Sequence, residues 1–209
     1  MTDRFVDLSL RAFSDELASG SAVPGGGSAA AYAGALGAAL AAMVGRIAAK
    51  KKDGSGSDTE FIAELDDLRA YFLRLVDDDS AAFRRVSEAM RLPKSTDAEK
   101  AARKERLQAG LTGASRVPLE VAKAARRLLD ACERGLKTAS PMTVSDIGVA
   151  ALMAEAALRG AALNVMTNLA SISDAAQIKS LSEDLDRALD GSEEQRKRIL
   201  DFVESRIAR

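Results

Sequence analysis

Apolar residues recur every three to four positions along most of the chain, which is the period of an α-helix rather than of a strand. Capping and turn signals divide this pattern into about seven helices joined by short turns, with no shift in composition that would mark a domain boundary. The predicted helices span 3–18, 28–49, 57–92, 96–134, 147–172, 174–189 and 193–207. We therefore predict an all-α fold, a single-domain helical bundle over residues 1–209.

Helix ends are marked by capping and breaking residues. Pro118 should bend or break the fourth helix, and Gly135 should end it. Three further helices should begin with capping boxes of the S/T-x-x-E/Q form, whose members are Ser57 with Glu60, Thr96 with Glu99, and Ser192 with Gln195.

The helices predicted at 28–49 and 147–172 are apolar on nearly all faces, so both should lie at the centre of the bundle. In the first, small residues recur at spacings of three and four, which lets a neighbouring helix approach closely. These residues are Ala30, Gly34, Ala38, Ala41 and Gly45. The spacing indicates a tight bundle or a helix-mediated dimer.

A membrane span is the alternative for these two helices, because their length approaches the roughly 20 residues that a bilayer requires. About half of the first helix is alanine, which contributes little to insertion. The second carries polar residues that would be costly in lipid, namely Glu155, Arg159, Asn164 and Asn168. We therefore expect no membrane partner.

Composition narrows the chemistry further. With 30 basic and 31 acidic residues, the chain has no global field to attract nucleic acid or an anionic membrane. Cys132 is the single cysteine, so there is no intrachain disulfide, and we expect a reducing cytoplasm. The chain contains no histidine, which excludes Ser-His and Cys-His nucleophilic pairs and histidine metal sites. Acid-base chemistry must come from carboxylates, lysine, tyrosine or cysteine.

The stretch "VPGGGSAAAY" precedes the first apolar helix and has neither the phosphate-loop spacing nor the G-x-G-x-x-G fingerprint of nucleotide sites. Its glycines permit close backbone approach, and the N–H groups at residues 28–30 would attract a negative group. The stretch is therefore either a tight turn between packed helices or a floor for a ligand.

"LVDDDSAAF" places three aspartates inside a predicted helix, where adjacent like charges repel. Such a run is usually a solvated acidic face. Asp79, however, lies on the same side as Leu75, Ala82, Phe83 and Val86, at spacings of three and four. If Asp79 faces the bundle, burial raises its pKa toward that of a useful general base or acid.

The second apolar helix carries four polar residues with two interpretations each. Ser145 and Asp146 stand where a helix N-cap belongs, and capping alone would explain them. Asn164 and Asn168 lie four apart on one face among apolar neighbours. They form an interhelical hydrogen bond or read a polar heterocycle such as a pterin.

Four segments together resemble the formiminotransferase-cyclodeaminase C-terminal domain family, which includes stand-alone methenyltetrahydrofolate cyclohydrolases. They are "ELASGSAVPGGGSAAAYAGALGAALAAMV", "DDDSAAFRRVSEAMRLPKST", "SRVPLEVA" and "SDIGVAALMAEAALRGAALNVMTNLASISD". The resemblance covers nearly the whole chain in order. It implies an all-helical homodimer without a metal or cofactor.

The resemblance implies that Asp79, the second aspartate of the motif D-x-D-x-x-A-F, is catalytic. Lys50 is the second predicted catalytic residue. The predicted substrate-binding residues are Pro24, Gly25, Gly26, Gly27, Ser28, Lys51, Lys94, Ser145, Asp146, Asn164 and Asn168. One departure is that Lys52 and Asp53 stand where relatives often have an aromatic residue, so ring stacking is not expected at that spot.

The resemblance predicts hydrolysis of 5,10-methenyltetrahydrofolate to 10-formyltetrahydrofolate. Asp79 would activate the water, Lys50 or Lys51 would hold the developing alkoxide or a glutamate-tail carboxylate, and the asparagines and Asp146 would orient the pterin. The alternatives are a formiminotetrahydrofolate cyclodeaminase that releases ammonia, a helical dimer that binds folate without catalysis, and a structural bundle with no pocket.

Overall fold

The computed structural model describes residues 4–50 and 58–208, and over these two ranges the chain is helical and contains no strand. A short 3-10 turn at Phe5–Asp7 is followed by seven α-helices. They are α1 Leu10–Leu17, α2 Gly26–Ala49, α3 Thr59–Arg91, α4 Asp97–Gly135, α5 Val144–Leu169, α6 Ala175–Leu189 and α7 Ser192–Ile207. The predicted all-α class is confirmed for the described part of the chain.

Helix α2 lies between α3 and α5, and both run antiparallel to it. Along α3, Gly27 lies beside Asp79 and Gly34 beside the Phe72 ring, which a methyl group at Gly34 would overlap. Along α5, Gly26 lies beside Asn164 and Gly37 beside the Ala150 carbonyl. The small residues of α2 therefore allow two helices to approach its backbone, as their spacing predicts.

Both α2 and α5 are long and apolar enough to cross a membrane by length and composition. In the structure, however, they pack against each other and against α4, and their alanines supply much of the core. The charged residues of α5 pair with α7: Glu155 forms an ion pair with Arg196 at 2.8 Å, and Arg159 donates a hydrogen bond to Glu193 at 3.1 Å. Both are core helices of the bundle, as predicted.

The capping predictions had different outcomes. The box formed by Thr96 and Glu99 is present and begins α4. The predicted box at Ser192 is wrong, because Ser192 is already the first residue of α7 and Gln195 instead donates to Asp130 and Glu133 of α4. Ser57 lies outside the described residues.

Other features of the helices also differ from the sequence expectation. The predicted first helix is divided into the 3-10 turn and α1, because Ser9 caps α1 through the N–H of Ala12. Pro118 does not break α4, which continues through it to end at Gly135 as predicted. Helix α5 begins three residues early, after the N-cap Thr143, so neither Ser145 nor Asp146 is the cap.

Candidate active site

The first turn of α2 contacts the middle of α3 at Asp79. Gly27 has no side chain, and a methyl group there would overlap the Asp79 carboxylate. The carboxylate therefore lies directly against the N-terminal turn of α2, where free backbone N–H groups and the helix dipole favour a negative charge. The sequence left this turn as either a tight turn between helices or a floor for a ligand, and in the structure the negative group that it contacts is the protein's own Asp79.

The hydroxyl of Ser28 holds the Asp79 carboxylate in place. Ser28 is fully buried, and its Oγ lies 3.0 Å from Oδ2 of Asp79 and 3.0 Å from the carbonyl oxygen of Val76. The buried hydroxyl of Ser80 lies 3.1 Å from the same Oγ. Ser28 was predicted to bind substrate, and in the structure its buried hydroxyl contacts Asp79.

The environment of Asp79 changes its proton affinity. Burial raises the pKa of Asp79 above the ordinary aspartate value, since removal from water disfavours the charged form. The hydroxyl and backbone N–H of Ser28 act in the opposite direction, but burial is the larger effect. A half-buried carboxylate with a raised pKa is suited to accept a proton from water.

The two asparagines of α5 have different roles. Asn164 lies against the first turn of α2, with Nδ2 3.5 Å from where a methyl group on Gly26 would lie. Its Nδ2 donates to the Gly160 carbonyl at 2.8 Å, and within the described residues no donor reaches its Oδ1. Asn168 instead donates to the Ala114 carbonyl of α4 at 2.9 Å, which is the interhelical hydrogen bond that the sequence left open.

Three other predicted site residues lie at the opposite end of the bundle. Lys50 follows the last turn of α2, 22 positions after Ser28, or about 33 Å along the helix axis. Ser145 and Asp146 lie in the first turn of α5, and Asp146 is 18 positions from Asn164, about 27 Å away. Within one chain these residues do not meet Asp79, contrary to the single cluster expected from the sequence.

Of the remaining predicted residues, those of the turn before α2 lie near Asp79, whereas Lys94 lies far from it. Pro24 is buried, Gly25 half-buried and Gly26 exposed in the turn that leads into α2. Lys94 is exposed in the loop after α3. The last residue of α3 is Arg91, which lies about 18 Å from Asp79 along the axis of α3. Lys51 lies outside the described residues.

Two residues near Asp79 were not proposed as site residues from the sequence. The Ser80 hydroxyl contacts the Ser28 hydroxyl. The sequence feature that could have indicated Ser80 is its position directly after Asp79. Phe83 lies one helical turn after Asp79 and is 40% exposed. The sequence feature that could have indicated Phe83 is a large aromatic residue four positions after the candidate base, on the same face of the helix.

Two other kinds of reactive site are relevant to the described chain, a cysteine nucleophile and a metal site. Cys132 is buried in the core, and burial raises its pKa to about 12, so its thiol stays protonated at neutral pH. Residues 4–50 and 58–208 contain no group of three or more Asp, Glu or Cys side chains that could hold a metal ion.

Comparison with known proteins identifies the family. The sequence profile described as Formiminotransferase-cyclodeaminase matches residues 9–187, which include Asp79 and the α2 turn. The chain belongs to the formiminotransferase-cyclodeaminase family. This confirms the resemblance that the four motifs indicated.

Members of this family resemble the chain over different shares of their length. A methenyltetrahydrofolate cyclohydrolase of Methylorubrum extorquens is 36% identical over 95% of this chain and 97% of its own. The formimidoyltransferase-cyclodeaminase of Mus musculus is 38% identical over 81% of this chain, which spans only 32% of that longer protein. The crystal structure of formiminotetrahydrofolate cyclodeaminase from Thermotoga maritima has a TM-score of 0.84 at 28% identity and covers 95% of this chain.

The raised pKa of Asp79 predicts how an Asp79→Asn variant unfolds. A folded-state pKa above the unfolded value of about 3.9 means that the stability contributed by this group is present at low pH and lost as pH rises through the folded pKa. Asparagine cannot ionise, so at pH 7 the variant should be at least as stable as the wild type in urea unfolding. Its advantage should shrink toward pH 4.

The matched control is Asp77→Asn. Asp77 accepts from Arg4 at 3.0 Å and from the N–H of Phe5 at 2.8 Å, so this variant should gain no stability. A loss of more than about 1 kcal/mol in Asp79→Asn at pH 7 would contradict the burial argument, since it would show that the charged form is favoured.

Proposed function

We propose that this protein hydrolyses 5,10-methenyltetrahydrofolate to 10-formyltetrahydrofolate. The observation that carries the proposal is the Asp79 carboxylate, held by Ser28 and Gly27 with its pKa raised by burial. The near-full-length similarity to a methenyltetrahydrofolate cyclohydrolase supports the choice of substrate. Asn164 lies at the same turn of α2 as Asp79, so its amide oxygen is placed to accept a hydrogen bond from the pterin of a substrate bound there.

The reaction begins with an activated water. The methenyl carbon lies between two nitrogens that share a positive charge, so it is electrophilic without a metal or cofactor. Asp79 takes a proton from the water while the oxygen forms a bond to this carbon. The negative carboxylate also stabilises the cationic substrate before attack.

Ring opening completes the reaction. The new hydroxyl loses its proton as the carbonyl forms, and the bond between the carbon and N5 breaks. Asp79 returns its proton to N5, so the net products are 10-formyltetrahydrofolate and one proton. Because both steps use the same carboxylate, a group with a raised pKa serves better than an ordinary aspartate. We expect this reaction in the cytoplasm.

The closest rival is the cyclodeaminase reaction, in which the same pocket cyclises 5-formiminotetrahydrofolate and ammonia leaves. The similarity to a formiminotetrahydrofolate cyclodeaminase of Thermotoga maritima favours this second candidate. A dimer that binds folate without turnover is the third. These candidates differ in which compound is converted, so one assay separates them.

The assay follows the near-ultraviolet absorbance of methenyltetrahydrofolate with purified protein. The wild type should hydrolyse it well above the buffer rate, and Asp79→Asn should lose about 100-fold or more in rate with its helicity unchanged, because the base is gone. Hydrolysis at the buffer rate would refute the proposal. Faster appearance of the methenyl compound from the formimino compound would favour the cyclodeaminase.

We also propose that the protein acts as a homodimer through α2 and α5. These neighbouring helices present large apolar side chains to solvent along one stripe each. The residues are Leu36, Met43 and Ile47 on α2, and Val149, Leu152, Leu163 and Met166 on α5. Such a contiguous apolar face marks an interaction surface, and a two-fold axis would bury it against its own copy.

A dimer with antiparallel α2 helices would join the two separated groups of site residues. Asp79 and Asn164 lie at the level of the first turn of α2, and Lys50 and Asp146 lie at the level of its last turn. A two-fold axis through the middle of α2 brings the last turn of α2 in one copy over the first turn of α2 in its partner. In this arrangement, Lys50 could hold the developing alkoxide at the partner's Asp79, a role that the distance within one chain excludes.

Complementation tests this arrangement. Asp79→Asn and Lys50→Ala should each be inactive alone, but co-expressed chains should recover up to about a quarter of wild-type activity, because half of the dimers then contain one intact site. Differently tagged copies allow the mixed dimer to be isolated. The control mixes Asp79→Asn with wild-type chains.

Two results would contradict the shared site. If Lys50 acted within its own chain, each site of the mixed dimer would carry one defect and no activity would return. A monomer of about 22 kDa in sedimentation equilibrium would refute the dimer itself.

A further inference from the structure

Phe83 differs from every other aromatic residue of this chain. Of the eight aromatic residues, Phe72 is fully buried, and Phe13 and Tyr32 pair at 5.5 Å between ring centroids. Four more lie under a guanidinium group at 4.8 to 5.7 Å, namely Phe5, Phe61, Tyr71 and Phe202. Within the described residues, Phe83 has neither an aromatic nor a guanidinium partner and is 40% exposed.

The position at which α2 begins explains why Phe83 is exposed. Because α2 begins at Gly26 and its first turn lies beside Asp79, the part of α3 beyond Ser80 extends past the start of α2. Asp79 and Phe83 share one face of α3, with their Cβ atoms about 5–6 Å apart. Side chains on a helix lean toward its N-terminus, so the Phe83 ring leans toward Asp79.

We propose that the face of Phe83 binds the planar, positively charged ring of the substrate. This inference rests on the proposed function, because the positive charge shared by the two nitrogens is what an aromatic face attracts. A substrate whose reacting carbon lies at the Asp79 carboxylate has its ring system within reach of Phe83. The charge disappears on hydrolysis, so Phe83 should favour the methenyl substrate over the ring-opened product.

Binding and kinetics with Phe83 variants test the inference. Phe83→Ala and Phe83→Leu should raise KM for methenyltetrahydrofolate about 3- to 10-fold, while Phe83→Tyr should stay within about 2-fold of wild type. Uncharged tetrahydrofolate, used as a competitive inhibitor, should lose less than about 2-fold in affinity in all three variants. The control is Ile207→Ala, an exposed apolar residue (59%) in the last turn of α7, which carries no proposed site residue, and this variant should change neither value.

Three outcomes would overturn the inference. An unchanged KM in Phe83→Ala would show that the ring does not contact substrate, and wild-type behaviour of Phe83→Leu would show that apolar contact suffices. An equal loss for tetrahydrofolate would show that charge is not recognised. Equilibrium titration of methenyltetrahydrofolate into Asp79→Asn, with and without Phe83→Ala, separates this inference from the proposed function: it reports on Phe83 even if the wild type shows no hydrolysis.

Discussion

The contact between the Asp79 carboxylate and the first turn of α2 sets the rest of the site. It requires glycine at position 27, because any side chain there would take the space of the carboxylate. It also requires the Ser28 hydroxyl, which is fixed by the Val76 carbonyl and Ser80. Burial raises the pKa, whereas the helix N-terminus and Ser28 limit the cost of charge. The pKa of Asp79 is therefore set by burial, which raises it, and by hydrogen bonds from Ser28, which lower it.

The packing of α2 maintains this contact. Gly34 admits the Phe72 ring, and Gly37 admits the Ala150 carbonyl, so α3 and α5 approach the α2 backbone from two sides. Both neighbours are antiparallel to α2. Asp79 on α3 and Asn164 on α5 therefore lie at the same height along the bundle as the first turn of α2. Helix α2 begins at Gly26 and does not extend beyond that point, which leaves Phe83 exposed one helical turn from Asp79. One helix start thus positions the carboxylate and opens the space beside it.

Sequence reasoning predicted the helices well, because periodicity and caps are local signals. The Thr96–Glu99 box could be found from spacing alone, whereas spacing placed Asp79 beside apolar neighbours but left open whether that side faces the bundle. The Ser192–Gln195 box failed because a tertiary interaction competes for Gln195, which bonds to Asp130 and Glu133. Lys50 and Asp79 were expected together, but spacing within a helix does not show which end of it a distant segment meets. Likewise, the sequence could not show that the anion at the α2 turn is Asp79.

The central claim is that Asp79 acts as a base whose pKa is raised by burial, although Ser28 and the N-terminus of α2 act in the opposite direction. The most direct measurement is a carbon-13 carboxyl titration of the wild type, with the Asp79 resonance assigned by its absence in Asp79→Asn. The account predicts a midpoint above the ordinary aspartate value of about 3.9. A midpoint at or below that value would contradict it, because the helix N-terminus and Ser28 would then outweigh burial.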